Sequence, residues 1–211
     1  MGKQARSTRR EVERAAAAQA ALRSQHRRKL LPYWIATGVV ILGIAIAIPF
    51  VLTSGGGSTS TLTGLRVFAE KNHNHVTGTV TYDRTPPAGG AHSAIWLNCG
   101  VYNQPEKNEN AVHSIEHGAV WITYQPSLSS VSVAHLQEFA RSHSTGSQGY
   151  LLLSPYPGLL SPVVASTWGA QLALNGPSDP RLAAFVARYA GGGQGGEPGG
   201  ECTGGTGSPI T

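Results

Sequence analysis

Residues 33–52, YWIATGVVILGIAIAIPFVL, are 20 consecutive residues without a charge. A helix rises about 1.5 Å per residue, so this run spans roughly 30 Å, the depth of a bilayer's hydrocarbon core. The run predicts a transmembrane helix or uncleaved signal anchor. Pro32 suits its first turn, where a missing N–H costs nothing. Tyr33 and Trp34 suit the headgroup interface, and the flanking Arg27-Arg28-Lys29 is expected to stay in the cytoplasm. Residues 53–211 then lie outside a single-pass cell membrane protein. The competing reading is a cleaved signal peptide, with Ala45-Ile46-Ala47 as the small-x-small site and Arg27-Arg28 as a loose twin-arginine signal. Both readings put the main domain on the extracytoplasmic side.

The charges agree with that division. Residues 1–32 hold nine Lys/Arg against Glu11 and Glu13, while residues 53–211 hold seven Lys/Arg against nine Asp/Glu. The net charge of +5 therefore belongs to the N-terminal tail. A nucleic-acid-binding domain needs a basic patch on its folded part, and this one is mildly acidic, so nucleic acid is not an expected partner.

Composition divides the chain further. Residues 1–32 read as a basic cytoplasmic tail with good helix formers. Residues 53–64 read as a flexible Gly/Ser/Thr linker. Residues 191–211 are so rich in glycine that a disordered tail is expected. Residues 65–190 are left as the compact domain. Within it GTVTYD (78–83), AVWITYQ (119–125), GYLLLSPY (149–156) and VVASTWGAQLAL (163–174) have strand character. AVHSIEH (111–117) reads as a short helix ended by Gly118. Residues 130–143 place Val133, Leu136, Phe139 and Ala140 on one helical face behind a Ser pair that can cap it. Asp179-Pro180 opens a last helix with Leu182, Phe185, Val186 and Tyr189 on one face. The expected fold is α+β: a small, mostly antiparallel sheet with about two helices packed on one face.

Histidine carries the chemistry. Five of the eight, His73, His75, His92, His113 and His117, fall between residues 73 and 117. On a helix His113 and His117 stand one turn apart, about 6 Å between Cβ atoms, a spacing that lets two imidazoles meet one ion. His92, His75 or Glu116 would complete the set. Outside the cell, imidazole serves copper(II) and zinc well. His113-x-x-Glu116-His117 also has the form of an inverted zinc-hydrolase motif, in which the Glu activates water. Gly118 cuts its helix short, which weighs against that reading. The third reading is a hydrogen-bonded, metal-free cluster. No nucleotide-cofactor loop, nucleophile elbow or CxxC pair is present, and the sequence leans away from an enzyme. Cys99 and Cys202 both fall on the oxidising side. A disulfide between them is the first expectation, and a thiolate ligand at Cys99 the alternative.

Tyr82-x-x-x-Pro86-Pro87-x-x-Gly90-x-His92, Trp96, Gly100-Val101-Tyr102, Val112-His113-x-x-Glu116-His117-Gly118, Ser154-Pro155-Tyr156-Pro157 and Thr167-Trp168-Gly169 occur in that order. Over residues 65–190 the chain resembles the bacterial membrane-anchored family of domain of unknown function 3105. Where that family has Pro-Pro-Thr-Ser-Gly-Pro-His, this chain loses the hydroxyl residues and keeps His92. The resemblance marks His92, His113, Glu116 and His117 but implies no reaction. The expected function is a membrane-anchored extracytoplasmic domain that binds copper or zinc through His113 and His117 with His92 or His75, and with Glu116 as ligand or as orienter of an imidazole. The alternative is a structural or interaction module of the cell envelope, with envelope protein partners.

Overall fold

A computed structural model describes residues 61–144, 149–192 and 195–210. The expected cytoplasmic tail (1–32), the membrane run (33–52) and most of the linker (53–64) lie outside the described residues. Among the described residues no helix is long and apolar enough to cross a membrane.

The described residues form nine elements in order: β1 (Arg66–Val67), β2 (Gly100–Val101), α1 (Asn108–Glu116), β3 (Val120–Tyr124), α2 (Ser130–His143), β4 (Leu151–Pro155), β5 (Val163–Thr167), β6 (Ala170–Leu174) and α3 (Arg181–Tyr189). The strands form one sheet in the order β1-β6-β5-β3-β4-β2. Three of its pairings are antiparallel (β1–β6, β6–β5 and β5–β3), and two are parallel (β3–β4 and β4–β2). The fold is α+β, as expected, but the sheet is mixed rather than mostly antiparallel. The reason is α2. Fourteen residues of helix between β3 and β4 carry the chain back along the sheet, which is what a parallel neighbour requires.

Side chains alternate between two cores. Val120, Ile122 and Tyr124 of β3 join Leu136 and Ala140 of α2, together with Leu182, Phe185, Val186 and Tyr189 of α3. Trp121, between them, points the other way and joins Ala111, Val112 and Ile115 of α1, with Leu152 and Trp168. Two helices thus cover one face, as the sequence suggests, and a third helix covers the other. Every residue of β3, β4 and β5 is buried, as strands covered on both faces must be.

Local signals set most boundaries. Ser129 caps α2 by accepting a bond from the Ser132 amide at 3.2 Å. Asp179 accepts the Arg181 amide at 3.1 Å just before α3. Residues 163–174, expected as one strand, make a hairpin. Trp168 and Gly169 turn the chain, with Gly169 at φ 68°, a conformation glycine adopts freely. Residues 78–83, expected as a strand, pair with none. Their polar groups go elsewhere: the Val80 amide to Glu109 Oε1 at 2.8 Å, and the Tyr82 hydroxyl to the Ala91 carbonyl at 2.8 Å.

The Gly-rich tail is the largest departure from expectation. Residues 195–210 lie along the strip 96–101. The amides of Cys99, Thr206 and Ile210 donate to the carbonyls of Cys202, Trp96 and Val101 at 2.6, 2.9 and 2.7 Å. Cys99 and Cys202 form a disulfide with Cα atoms 5.2 Å apart, and Cys202 is fully buried. Composition alone could not show this, because the tail builds no core of its own and borrows that of the domain.

Candidate metal centre

Three stretches of chain bring the histidines together. Helix α1 supplies His113 and Glu116. Its C-cap residue His117 keeps helical angles (φ −70°, ψ −6°), so the His113 and His117 rings stay on one face with centroids 4.5 Å apart. Opposite them Ala111, Val112 and Ile115 anchor the helix in the core. The Pro86-Pro87-Ala88-Gly89-Gly90-Ala91 turn delivers His92, and the Gly169 amide holds that turn by donating to the Ala88 carbonyl at 2.8 Å. The extended segment 73–76 pairs beside it, with the Val76 amide bound to the His92 carbonyl at 2.7 Å and the His92 amide to the Asn74 carbonyl at 3.0 Å. His75 therefore meets His92 and His113, at centroid distances of 5.0 and 4.9 Å.

The backbone fixes the tautomers. Nδ1 of His92 donates to the Gly90 carbonyl (2.8 Å), Nδ1 of His113 to the Ser93 carbonyl (2.7 Å) and Nδ1 of His117 to the Glu201 carbonyl (2.5 Å). A carbonyl only accepts, so each Nδ1 carries a proton, and in a neutral ring Nε2 is then left with a lone pair. Metal-ligating histidines are held in the same way, through the nitrogen that does not bind the ion. Burial pushes the His113 imidazole down to about 4, helped by the neighbouring His117, His92 and His75. Burial likewise lowers His92, against the opposing pull of the Gly90 bond and Glu116. At neutral pH both rings are neutral, the form that ligates metal.

Glu116 closes the cluster. One carboxylate oxygen contacts His73 Nδ1, and the other lies 2.9 Å from His92 Nε2. That last pair is within ion-pair distance but out of line for a hydrogen bond, and His92 Nε2 is buried without a hydrogen-bond partner. With the ring proton already on Nδ1, the unpartnered His92 Nε2 and a carboxylate oxygen lie side by side in a site closed to solvent. Such a contact calls for a cation between or beside the two atoms.

Among the described residues two overlapping groups can hold one. His75, His92, His113 and Glu116 bring one ligand atom each to within 4.8 Å of one another, and so do His113, His117 and Glu197. A tetrahedral zinc site needs roughly 3.4 Å between ligand atoms, so an ion would draw these groups closer together. Indoles wall the cluster. Trp168 stacks on His73 at 4.5 Å, and Trp96 lies 5.7 Å from His113 and 5.2 Å from His117.

All five candidates converge on this region: His92, His113, Glu116 and His117 buried and His75 exposed at its mouth. Cys99 does not take part, since its sulfur is bonded to Cys202. Sequence reasoning missed Glu197, whose carboxylate lies 3.2 Å from His117 Nε2, and the Glu201 carbonyl. Both come from the tail, and its composition gives no sign of them. The tail needs its glycines here. A Cβ at Gly200 would lie 2.7 Å from His117 Cγ, and one at Gly196 would lie 2.8 Å from Glu116 Oε1.

No curated protein and no solved structure gives a significant match to this chain. Residues 73–204 match the family described as "Protein of unknown function (DUF3105)", a span that takes in every residue of the centre. More than half of the chain is covered by that match, and the protein belongs to this family.

Proposed function

We propose that this protein is a membrane-anchored, extracytoplasmic domain that binds one transition-metal ion, copper or zinc, through His92, His113 and Glu116, with His75 closing the set. One observation carries the reading: the neighbouring imidazoles of His92 and His113 each give Nδ1 to a backbone carbonyl, and the buried His92 Nε2 lies 2.9 Å from a Glu116 carboxylate oxygen. Nitrogen and oxygen donors of this kind suit copper(II) and zinc. The anchored location draws on the uncharged run 33–52 with its basic flank, and a disulfide suits the oxidising side of a membrane.

The test is the metal content of the full chain, purified in detergent without chelator or metal-affinity resin. Elemental mass spectrometry is expected to find one ion per chain, lost in the His113→Ala/His117→Ala double variant. No metal, with none taken up on titration, sinks the proposal.

That outcome would favour a second reading, a metal-free structural or interaction module of the envelope. The backbone bonds to three imidazoles and the His73–Glu116 contact already hold the cluster in place. A zinc-dependent hydrolase fits less well. Glu116 is 3% exposed and both its oxygens face histidines, whereas activation of a water for hydrolysis needs an open position.

A further inference from the structure

A His Nε2 beside a carboxylate oxygen occurs twice among the described residues. His117 donates its Nδ1–H to the Glu201 carbonyl, and its Nε2 lies 3.2 Å from Glu197 Oε2, as His92 Nε2 lies 2.9 Å from Glu116 Oε2. The two copies differ in exposure. The Glu116 side chain is 3% exposed and the Glu197 side chain 61%. His113 belongs to both ligand groups. It has one free nitrogen, because Nδ1 is held by Ser93. The two groups therefore cannot hold separate ions through His113 at the same time, but a single ion can occupy them in turn.

The geometry points to a receiving site: His117 and Glu197 capture a divalent copper or zinc ion from solvent and pass it, across the shared His113, to the buried group. This deepens the metal-binding reading and rests on it. The transfer balances without further reactants. His113 Nε2 keeps its bond while the bonds to His117 Nε2 and Glu197 break and those to His92 Nε2 and Glu116 form. The receiving His92 ring is neutral with its proton on Nδ1, so its Nε2 releases no proton in the transfer, and the ion keeps its charge. An exposed carboxylate at the mouth also draws cations in. The tail is what builds this site, since Glu197 and the Glu201 carbonyl both come from it and the Cys99–Cys202 bond ties it down. The competing route is the exposed His75, which borders a surface pocket with Val76, Thr77 and Ala94.

Trp96 lies beside both His113 and His117, so a copper(II) ion arriving there quenches its fluorescence. The full chain, stripped of metal in detergent, is mixed with copper(II) in a stopped-flow fluorimeter, and its final metal content is measured separately. Glu197→Gln is expected to keep its thermal midpoint and its one ion per chain but to load about tenfold more slowly. Glu138→Gln removes the same charge from the exposed side of α2, across the sheet from His117, and is expected to load at the unmodified rate. Equal rates for Glu197→Gln and the unmodified chain would overturn the receiving site and place loading at His75, leaving metal binding intact. Equal slowing in both variants would reduce the effect to bulk charge and overturn it too. An unmodified chain that takes up no copper would remove both the receiving site and the metal-binding reading.

Discussion

Glu116 Oε2 lies 2.9 Å from His92 Nε2, with the imidazole fully buried and the carboxylate nearly so, and no hydrogen bond joins them. This contact is unfavourable without a cation and favourable with one. Glu116→Gln separates the two states. An amide there removes the charge beside the His92 Nε2 and, once turned into line, its nitrogen can donate to that lone pair, while the amide oxygen still accepts from His73. The metal-free variant is expected to be more stable than the unmodified chain by about 1 kcal/mol, the usual net worth of one hydrogen bond. Its metal affinity is expected to fall about 100-fold or more. Urea melts with chelator present and competition titrations read the two effects. A less stable metal-free variant would mean that His92 carries its proton on Nε2.

Stability without metal is expected to fall on acidification in a defined window. His113 titrates near 4 in the folded chain and near 6.5 when unfolded. Between those values the unfolded chain binds more protons, so acid favours unfolding. The sign is therefore a contribution fully present above about pH 6.5 and lost as pH falls toward 4. His92, also lowered by burial, acts in the same direction. Thermal melts in chelator across this range test it, and His113→Gln is expected to flatten the slope.

Removing the disulfide frees the tail. Cys99 and Cys202 are 103 residues apart in sequence, and breaking a bond that closes so long a loop is expected to cost about 2–5 kcal/mol. Cys99→Ser/Cys202→Ser is further expected to raise amide exchange in residues 195–210 far more than in β3 and β4. Protection that persists in the tail would show that its backbone bonds suffice.

Gly200→Ala tests the close approach directly. The added methyl would stand 2.7 Å from His117 Cγ, so the ring or the tail must move. Overpacking of this kind costs about 1–3 kcal/mol. The shift is expected to lengthen the bond from His117 Nδ1 to the Glu201 carbonyl, visible as a changed ring-proton shift in NMR. An unperturbed His117 would show that the tail yields instead.

How far the sequence could be read depended on whether a signal was local. The α2 helix was legible to the residue. Its cap, its face and its end all lie within one run of residues, and Leu136 and Ala140 are buried as that face requires. The buried face of α3 was legible for the same reason. The 163–174 run was not divided correctly, because a two-residue turn at Gly169 leaves strand propensity almost continuous on both sides. The polarity of the sheet was not legible either. Whether β4 lies parallel or antiparallel to β3 depends on where α2 packs, and no residue in either strand records it.

The sequence by itself determined the i,i+4 pair of His113 and His117, because helical spacing is a local property of the backbone. It also gathered the candidate ligands His75, His92 and Glu116, and placed one cysteine near the site and one far down the tail. Tertiary structure decided the rest. It set His92 Nε2 against Glu116, spent three Nδ1 protons on the Gly90, Ser93 and Glu201 carbonyls, and laid a glycine-rich tail over the centre with Glu197 at its mouth. All of these but the His92–Gly90 bond join groups remote in sequence. Their energies come from burial and from directed hydrogen bonds, and both exist only once the chain has closed around them.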